Sequence, residues 1–181
     1  MTYFNPCLFC SKLDYQASSP DEKALVEACA RLGLIYLNDN NDIYTIKLRL
    51  KKRMDVEPAG NPTIGANDEN SDIVQFKRLQ VLEFTSDRKR MSVIVMDRNG
   101  QIWIYTKGAE SHVLPLCSTR SSNVVRSTQK HINDFAKLGL RTLAVARRKL
   151  TKAEFINFNN GELRSIHKLY HLLTYSTFRT H

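Results

Sequence analysis

The sequence predicts an α+β fold, an antiparallel β-sheet with helices packed on it. Three observations predict it. A helix start with a capping box lies at residues 19–22, and apolar residues alternate on both sides of a hairpin turn at 97–100. Apolar residues also recur at helical spacing between Val125 and Leu138. Strands joined by tight turns pair antiparallel, so helices and hairpins together favour this class.

The first helix is predicted over residues 20–32. Ser19 is a suitable N-cap, Pro20 suits the first helical position, and Glu22 completes the capping box three residues after the cap. Gly33 marks the end of the helix. Two strands, 34–37 and 43–50, are then expected on either side of a polar turn.

The middle of the chain predicts three adjacent antiparallel strands, at 81–85, 91–96 and 101–106. The sequence Asp-Arg-Asn-Gly forms the hairpin turn between the last two strands. Further elements follow in order: a short helix (108–117), a loop (118–123), a helix ending at Gly139, a strand (143–147) and a helix that Thr151 opens with Glu154 at its capping-box position.

Length and composition favour a single globular domain. The chain has 181 residues, 42% hydrophobic and 25% charged, which is the profile of a folded soluble protein. It contains no apolar run near the roughly 20 residues that cross a bilayer, and its first residues do not form a secretory signal. We expect an irregular segment at 1–12, a domain at 13–155 with a mobile loop at 51–72, and a divergent tail at 156–181.

The four cysteines do not predict a metal or redox site. Cys7 and Cys10 form one C-x-x-C pair, while Cys29 and Cys117 stand apart. A structural zinc site needs about four ligands, and no second pair with suitable spacing supplies them. Reduced thiols and no bound metal are expected.

The formal charge of +9 raises the question of an anionic partner. The basic residues are scattered, and they lack the interleaved aromatic residues or the motifs of nucleic-acid-binding domains. We therefore expect no nucleic acid as partner. A nucleoside triphosphate is also an anion, and basic residues around a pocket would serve it equally well.

Four segments carry a family resemblance. They are Ala-Ser-Ser-Pro-Asp-Glu-Lys-Ala-Leu-Val at 17–26, Leu-Glu-Phe-Thr-Ser-Asp-Arg-Lys-Arg-Met-Ser-Val at 82–93, Lys-Gly-Ala-Glu-Ser at 107–111 and Gly-Leu-Arg-Thr-Leu at 139–143. In this order the series resembles the nucleotide-binding domain of phospholipid-translocating P-type ATPases, the lipid flippases. The third segment is short and occurs across P-type ATPases, whereas the first two point to the lipid-transporting branch. The likeness covers residues 13–155.

The resemblance implies an ATP pocket on the sheet. Phe84 would stack on the adenine, Lys107 would bring its stem and charge to the base, and Arg141 would hold a phosphate. From the residues alone, Phe84 in an apolar strand is interpreted as a core residue unless the face it points to is open, and the alternative for Arg141 is an exposed loop cation. The small residues after Lys107 are interpreted as space for a ligand near the backbone.

Three more residues complete the implied set. Glu22 would reach the amino edge of the adenine or the pocket wall, although the helix cap alone explains a glutamate there. Ser86 and Lys89 follow Phe84 and would lie near the nucleotide. Lys89 is one of three consecutive basic residues, so a solvated surface role is an equal alternative.

The chemistry of the implied parent enzyme requires parts that this sequence lacks. There is neither a G-x-x-x-x-G-K-[ST] phosphate loop nor the D-K-T-G segment that holds the phosphorylated aspartate. We therefore expect no catalytic residue and no ATP hydrolysis by this chain. Mg²⁺ would be bound mainly by the remaining domains of the flippase, which together with ATP are the expected partners.

The resemblance also implies a location and leaves one alternative. The domain would lie on the cytosolic face of a membrane as part of the parent, without inserting into the bilayer, and would be soluble alone. Because both ends depart from the family pattern, we expect a domain truncated at both ends. The alternative function is a non-catalytic interaction module that pairs with other proteins through its basic surface and exposed sheet edges.

Overall fold

A computed structural model describes residues 3–6, 13–17, 19–49, 71–117 and 123–159. The chain divides into two compact units, Met1–Phe76 and Lys77–His181, each described below by itself. The C-x-x-C pair, most of the loop predicted at 51–72, nearly all of the loop at 118–123 and the tail from residue 160 lie outside the described residues.

The first unit contains two antiparallel strand pairs and one helix. Its elements are β1 (Tyr3–Pro6), β2 (Leu13–Gln16), α1 (Pro20–Arg31), β3 (Leu34–Asn40) and β4 (Ile43–Arg49). β1 pairs with β2, and β3 pairs with β4 across a two-residue turn. The turn residues Asn41 and Asp42 have φ of 51° and 62°, the left-handed conformation that tight hairpins need. The two predicted strands are confirmed, with a shorter turn between them.

The helix α1 begins as its sequence predicts. Ser19 is the N-cap, and its Oγ accepts a hydrogen bond from the Glu22 backbone N–H at 3.2 Å. The chain leaves the helix through Gly33 with φ of 89°, which favours glycine. The helix ends at Arg31, one residue before its predicted end, and Leu32 beyond it is 75% exposed.

A small core stabilises the first unit. Tyr15, Ala30 and Ile35 are buried together, and Tyr36 packs against them. The Tyr15 hydroxyl donates to the Tyr36 carbonyl oxygen at 3.1 Å, so the buried phenol keeps a hydrogen-bond partner. Burial raises the pKa of Tyr15 to about 12, because a charged phenolate would lose its hydration there.

The second unit is built on four consecutive antiparallel strands. The strand β5 (Ser71–Leu82) continues into this unit from the first. The other elements are β6 (Arg90–Met96), β7 (Ile102–Gly108), α2 (Glu110–Val113), a 3₁₀ turn (Leu114–Leu116), α3 (Asn123–Lys137), β8 (Ala144–Leu150) and α4 (Lys152–Asn159). β5 pairs with β6, β6 with β7 and β7 with β8, all antiparallel. The predicted α+β class, with an antiparallel sheet and packed helices, is confirmed.

The two faces of these four strands differ. On one, the helical face, buried Ile94, Ile104 and Ala146 lie under helices: α4 covers it with Phe158, and α3 with Ile132. On the opposite face, the aromatic face, β7 carries half-buried residues in alternation with the buried ones. These residues are Trp103, Tyr105 and Lys107.

Three sequence-based boundaries in this unit are corrected. The strand predicted at 81–85 begins at Ser71 and ends at Leu82, so Phe84 lies beyond the strand. The helix predicted to use Leu138 on its apolar face ends at Lys137, and Leu138 is 71% exposed. The helix opened by Thr151 continues past Phe155 to Asn159 and buries Phe158 in the core.

Candidate functional site

The strand directions bring most of the predicted site residues to one end of the sheet. β5 ends at Leu82, β6 begins at Arg90, β7 ends at Gly108 and β8 begins at Ala144. Because these strands alternate in direction, all four points lie at the same end, which we call the turn end. The opposite end, where the 97–101 hairpin joins β6 to β7 and where β8 leads into α4, is the hairpin end.

Phe84 lies at the turn end and is largely exposed to solvent. It lies two residues after the end of β5, and it is 59% exposed. The interpretation of Phe84 as a core residue is therefore wrong. An aromatic ring with that much free surface offers a face on which a flat heterocycle can stack.

The turn that carries Phe84 is bonded to the end of β7. The Ala109 N–H donates to the Lys89 carbonyl oxygen at 3.0 Å. A Cβ added to Gly108 would lie 2.7 Å from Arg90 Cα, so only glycine lets the two segments approach this closely. The small residues after Lys107 thus serve contact between segments of this chain, which corrects their interpretation as space for a ligand.

Lys107 lies on the aromatic face at the turn end. It is half-buried, and its cross-strand partners are Met91 on β6 and Val145 on β8. Apolar neighbours on both sides suit the long aliphatic stem of a lysine. Two strand spacings, roughly 10 Å, separate β7 from β5, the strand that leads into the Phe84 turn.

Arg141 and Ser86 are exposed at the same end. Arg141 lies three residues before β8, whose first residue Ala144 pairs with Gly108. Ser86 lies in the turn after Phe84, as does Lys89, which is also exposed. The fold therefore brings the chain positions of five of the six predicted residues to one end of one sheet. Glu22, in the first turn of α1, belongs to the first unit.

Two arginines of the turn are already engaged. Arg88 Nη1 donates to the Glu83 carbonyl oxygen at 3.2 Å, and Arg90 Nη1 donates to the Arg88 carbonyl oxygen at 3.1 Å. Sequence reasoning placed these residues in a basic run without a role. Their contacts with backbone carbonyls could not be read from the spacing, because they depend on the exact path of the turn.

A pocket of about 480 Å³ lies between α2 and α3, and none of the six predicted residues lines it. It is lined by Glu110, Ser111, Leu114, Pro115, Val125 and Gln129. The only charged group in this lining is a carboxylate, which repels phosphate oxygens. The pocket is therefore a poor site for a triphosphate, and the turn end is the better candidate.

The part of the chain that the structure describes contains neither a metal-binding cluster nor a reactive thiol. Within those residues, no group of three or more His, Cys, Asp or Glu side chains could hold a metal ion. Cys29 and Cys117 are free thiols, and burial raises the pKa of both. Buried thiols with raised pKa values are weak nucleophiles at neutral pH.

Comparison with known proteins decides the family. Residues 11–175 match the family described as "P-type ATPase, cytoplasmic domain N". The chain belongs to this family. The resemblance drawn from the four sequence segments is thereby confirmed, and the antiparallel sheet with helices agrees with this domain.

Similar proteins point to the lipid-transporting branch. The chain is 37% identical over 153 residues to a phospholipid-transporting ATPase of Schizosaccharomyces pombe, with 82% of this chain and 10% of that protein covered. It is 36% identical over 149 residues to probable phospholipid-transporting ATPase 7 of Arabidopsis thaliana, with 82% and 11% covered. It is 31% identical over 148 residues to phospholipid-transporting ATPase DRS2 of Saccharomyces cerevisiae, with 82% of this chain and 10% of that protein covered.

The N domain match therefore covers a small part of these enzymes. The chain spans about a tenth of the length of the relatives it matches. Among the helices of the described residues, none has the length and apolar character needed to cross a membrane.

Proposed function

We propose that this chain is the ATP-binding domain of a phospholipid-translocating P-type ATPase and that ATP binds at the turn end. Phe84 stacks on the adenine, Lys107 lies beside the base, and Arg141 holds a phosphate. Ser86 and Lys89 lie near the nucleotide from the same turn. The assignment of Glu22 to the adenine edge or the pocket wall rests on the family resemblance alone, because Glu22 belongs to the first unit.

One observation carries the proposal: the fold gathers an exposed aromatic ring and cationic side chains at one end of the sheet. Phe84 is 59% exposed, and the Ala109–Lys89 hydrogen bond ties its turn to the end of β7 next to Lys107. A purine needs a stacking face, and a triphosphate needs positive charge. The turn end supplies both without requiring a phosphate loop.

In the parent enzyme, the domain would deliver ATP to an aspartate on another domain. The bound nucleotide supplies the γ-phosphoryl group for transfer to that aspartate, and the cycle would drive phospholipid movement between leaflets. The residues of this chain hold and orient the base and phosphates. The described residues offer no metal-ligand cluster for Mg²⁺, so we assign no step through that ion to them.

The binding site is tested by titration with a fluorescent ATP analogue. Lys107→Glu replaces a cation by an anion at the site, so saturable binding should be lost. Lys149→Glu makes the same charge change on an exposed residue near the hairpin end and should leave the affinity within about twofold, because exposed distant charges are screened.

Two results would contradict the proposal. If Lys107→Glu binds as well as the wild type, the assigned site is wrong. If the wild type shows no saturable binding but associates with other proteins in a way that weakens steeply with salt, the chain is an interaction module instead. Adding ATP as a competitor in the salt titration distinguishes both the nucleotide site and the interaction module from nucleic-acid binding.

A further inference from the structure

The segment from Glu83 to Arg90, which we call the adenine turn, is held by its own side chains. The Thr85 Oγ1 accepts a hydrogen bond from the Arg88 backbone N–H at 3.3 Å. The Lys89 N–H donates to the Thr85 carbonyl oxygen at 2.8 Å. The Arg88 guanidinium closes the turn from the other side, because its Nη1 reaches the Glu83 carbonyl oxygen at 3.2 Å.

The backbone at the end of the turn is unusual. Lys89 has φ of 48°, a left-handed conformation that a lysine rarely adopts without support. Its N–H and its carbonyl oxygen are both bonded, to Thr85 and to Ala109. The conformation that carries the Lys89 side chain is therefore fixed by contacts within the turn and with the end of β7.

Phe84 lacks comparable packing of its own. The residue is 59% exposed, so burial alone does not hold it in place. Thr85 follows it directly, and the Arg88 guanidinium bonds the carbonyl of Glu83, which precedes it. The backbone on both sides of Phe84 is thus restrained, and those restraints reach it through Thr85 and Arg88.

We propose that Thr85 and Arg88 are positioning residues, which hold the adenine turn in its binding conformation before the nucleotide arrives. They act through Phe84 and Lys89 and need not touch the ligand. A turn ordered in advance spares the binding step the entropy cost of ordering it. This inference rests on the proposed ATP site at the turn end.

The test measures nucleotide affinity and stability together in the full chain. Thr85→Val removes the hydroxyl acceptor at nearly constant shape, and Arg88→Met keeps the aliphatic stem without the guanidinium. Each variant should weaken a fluorescent ATP analogue about tenfold, the change that corresponds to 1.4 kcal/mol. Thr85→Ser should restore the affinity. Arg126→Gln, an exposed arginine on α3, is the control and should bind as the wild type does.

Two further measurements separate positioning from a general structural role. The urea midpoint, followed by Trp103 fluorescence, should stay near the wild-type value in each variant. In a double-mutant cycle, Thr85→Val should cost less affinity once Phe84→Ala is present, because part of the effect of Thr85 acts through that side chain.

The outcomes distinguish the inference from the function on which it rests. If the wild type binds the analogue, Lys107→Glu abolishes binding, and both Thr85→Val and Arg88→Met bind as tightly as the wild type, the positioning role is wrong while the site stands. The positioning role is also wrong if Thr85→Val costs the same affinity in the wild type and in Phe84→Ala. If the wild type does not bind at all, both proposals fail.

Discussion

The two ends of the same four strands both hold their turns with hydrogen bonds between side chains and backbone, but they differ in the exposure of the aromatic residue beside the turn. At the hairpin end, Asp97 accepts hydrogen bonds from the backbone N–H groups of Asn99 and Gln101, each at 2.9 Å, and from Trp103 Nε1 at 3.1 Å. At the turn end, Arg88 and Arg90 bond backbone carbonyls while the Phe84 ring stays open. Trp103, which bonds Asp97 at the hairpin end, is half-buried, whereas Phe84 at the turn end is 59% exposed.

The hairpin end also holds the start of the last helix. The Thr151 N–H donates to Glu154 Oε2 at 2.7 Å, the Glu154 N–H donates to Thr151 Oγ1 at 3.1 Å, and Arg148 pairs with Glu154. Such reciprocal bonds stabilise a helix start. If the hairpin end contributes mainly to stability and the turn end binds nucleotide, as we propose, substitutions at the two ends should separate the two effects.

The largest expected effect concerns stability and comes from the helical face. Phe158 is buried in the core with Ile94 and Leu150, so Phe158→Ala should cost about 3–5 kcal/mol of unfolding free energy. Ile156→Ala on the same helix, at a 55% exposed residue, should change it by less than about 0.5 kcal/mol. Urea unfolding followed by fluorescence measures both, and equal losses would show that α4 is not anchored as described.

The second effect concerns affinity and comes from the turn end. Phe84→Ala should weaken the ATP analogue by about 1–3 kcal/mol, the usual value of stacking one base on an aromatic side chain. Stability should hardly change, because the ring is largely exposed. Phe84→Tyr keeps the stacking face and should retain the affinity. A Phe84→Ala variant that loses stability but not affinity would reverse the roles we assign to the two ends.

The smallest expected effect is a pH dependence of the unfolding free energy, which arises from Glu154 near the hairpin end. Desolvation acts to raise the pKa of Glu154, but hydrogen bonds from the Thr151 N–H and hydroxyl, together with the Arg148 charge, lower it overall. Because the pKa of Glu154 is lowered in the folded state, the ionised carboxylate stabilises the fold at pH values above the unfolded-state pKa of about 4.3. That stability is lost as the pH falls from there through the folded value.

Glu154→Gln tests this assignment. Glutamine preserves the capping box but cannot pair as a charge with Arg148, and the loss near pH 7 should not exceed about 1 kcal/mol because the glutamate is partly exposed. Its unfolding free energy should fall less steeply with acid than that of the wild type. Asp87→Asn, an exposed carboxylate at the turn end, is the matched control. An unchanged acid slope in Glu154→Gln would refute the contribution.

The sequence predicted the features that depend on neighbouring residues. The Ser19 cap, the 97–100 hairpin turn and the Thr151–Glu154 capping box are all present. Each is a contact between residues at most four positions apart, so spacing alone reveals it.

One local turn and two features set by distant contacts were missed. Phe84 left its predicted strand because the chain turns at Thr85, where side-chain and backbone bonds override an apolar pattern. The role of Gly108 depends on the backbone of Lys89 and Arg90, which approaches from another strand. The run past Phe155 contains few apolar residues, yet Phe158 finds a core there. Tertiary packing decides such positions.

A titration of the isotope-labelled chain with ATP, followed by two-dimensional NMR, tests the division between the two ends most directly. We predict that amide signals of Thr85, Lys89, Lys107 and Arg141 shift with a single saturating curve while those of Asn99 and Thr151 stay in place. Shifts centred on the 97–101 hairpin, or none at Lys107 and Arg141 at saturating ATP, would contradict the assignment of binding to the turn end.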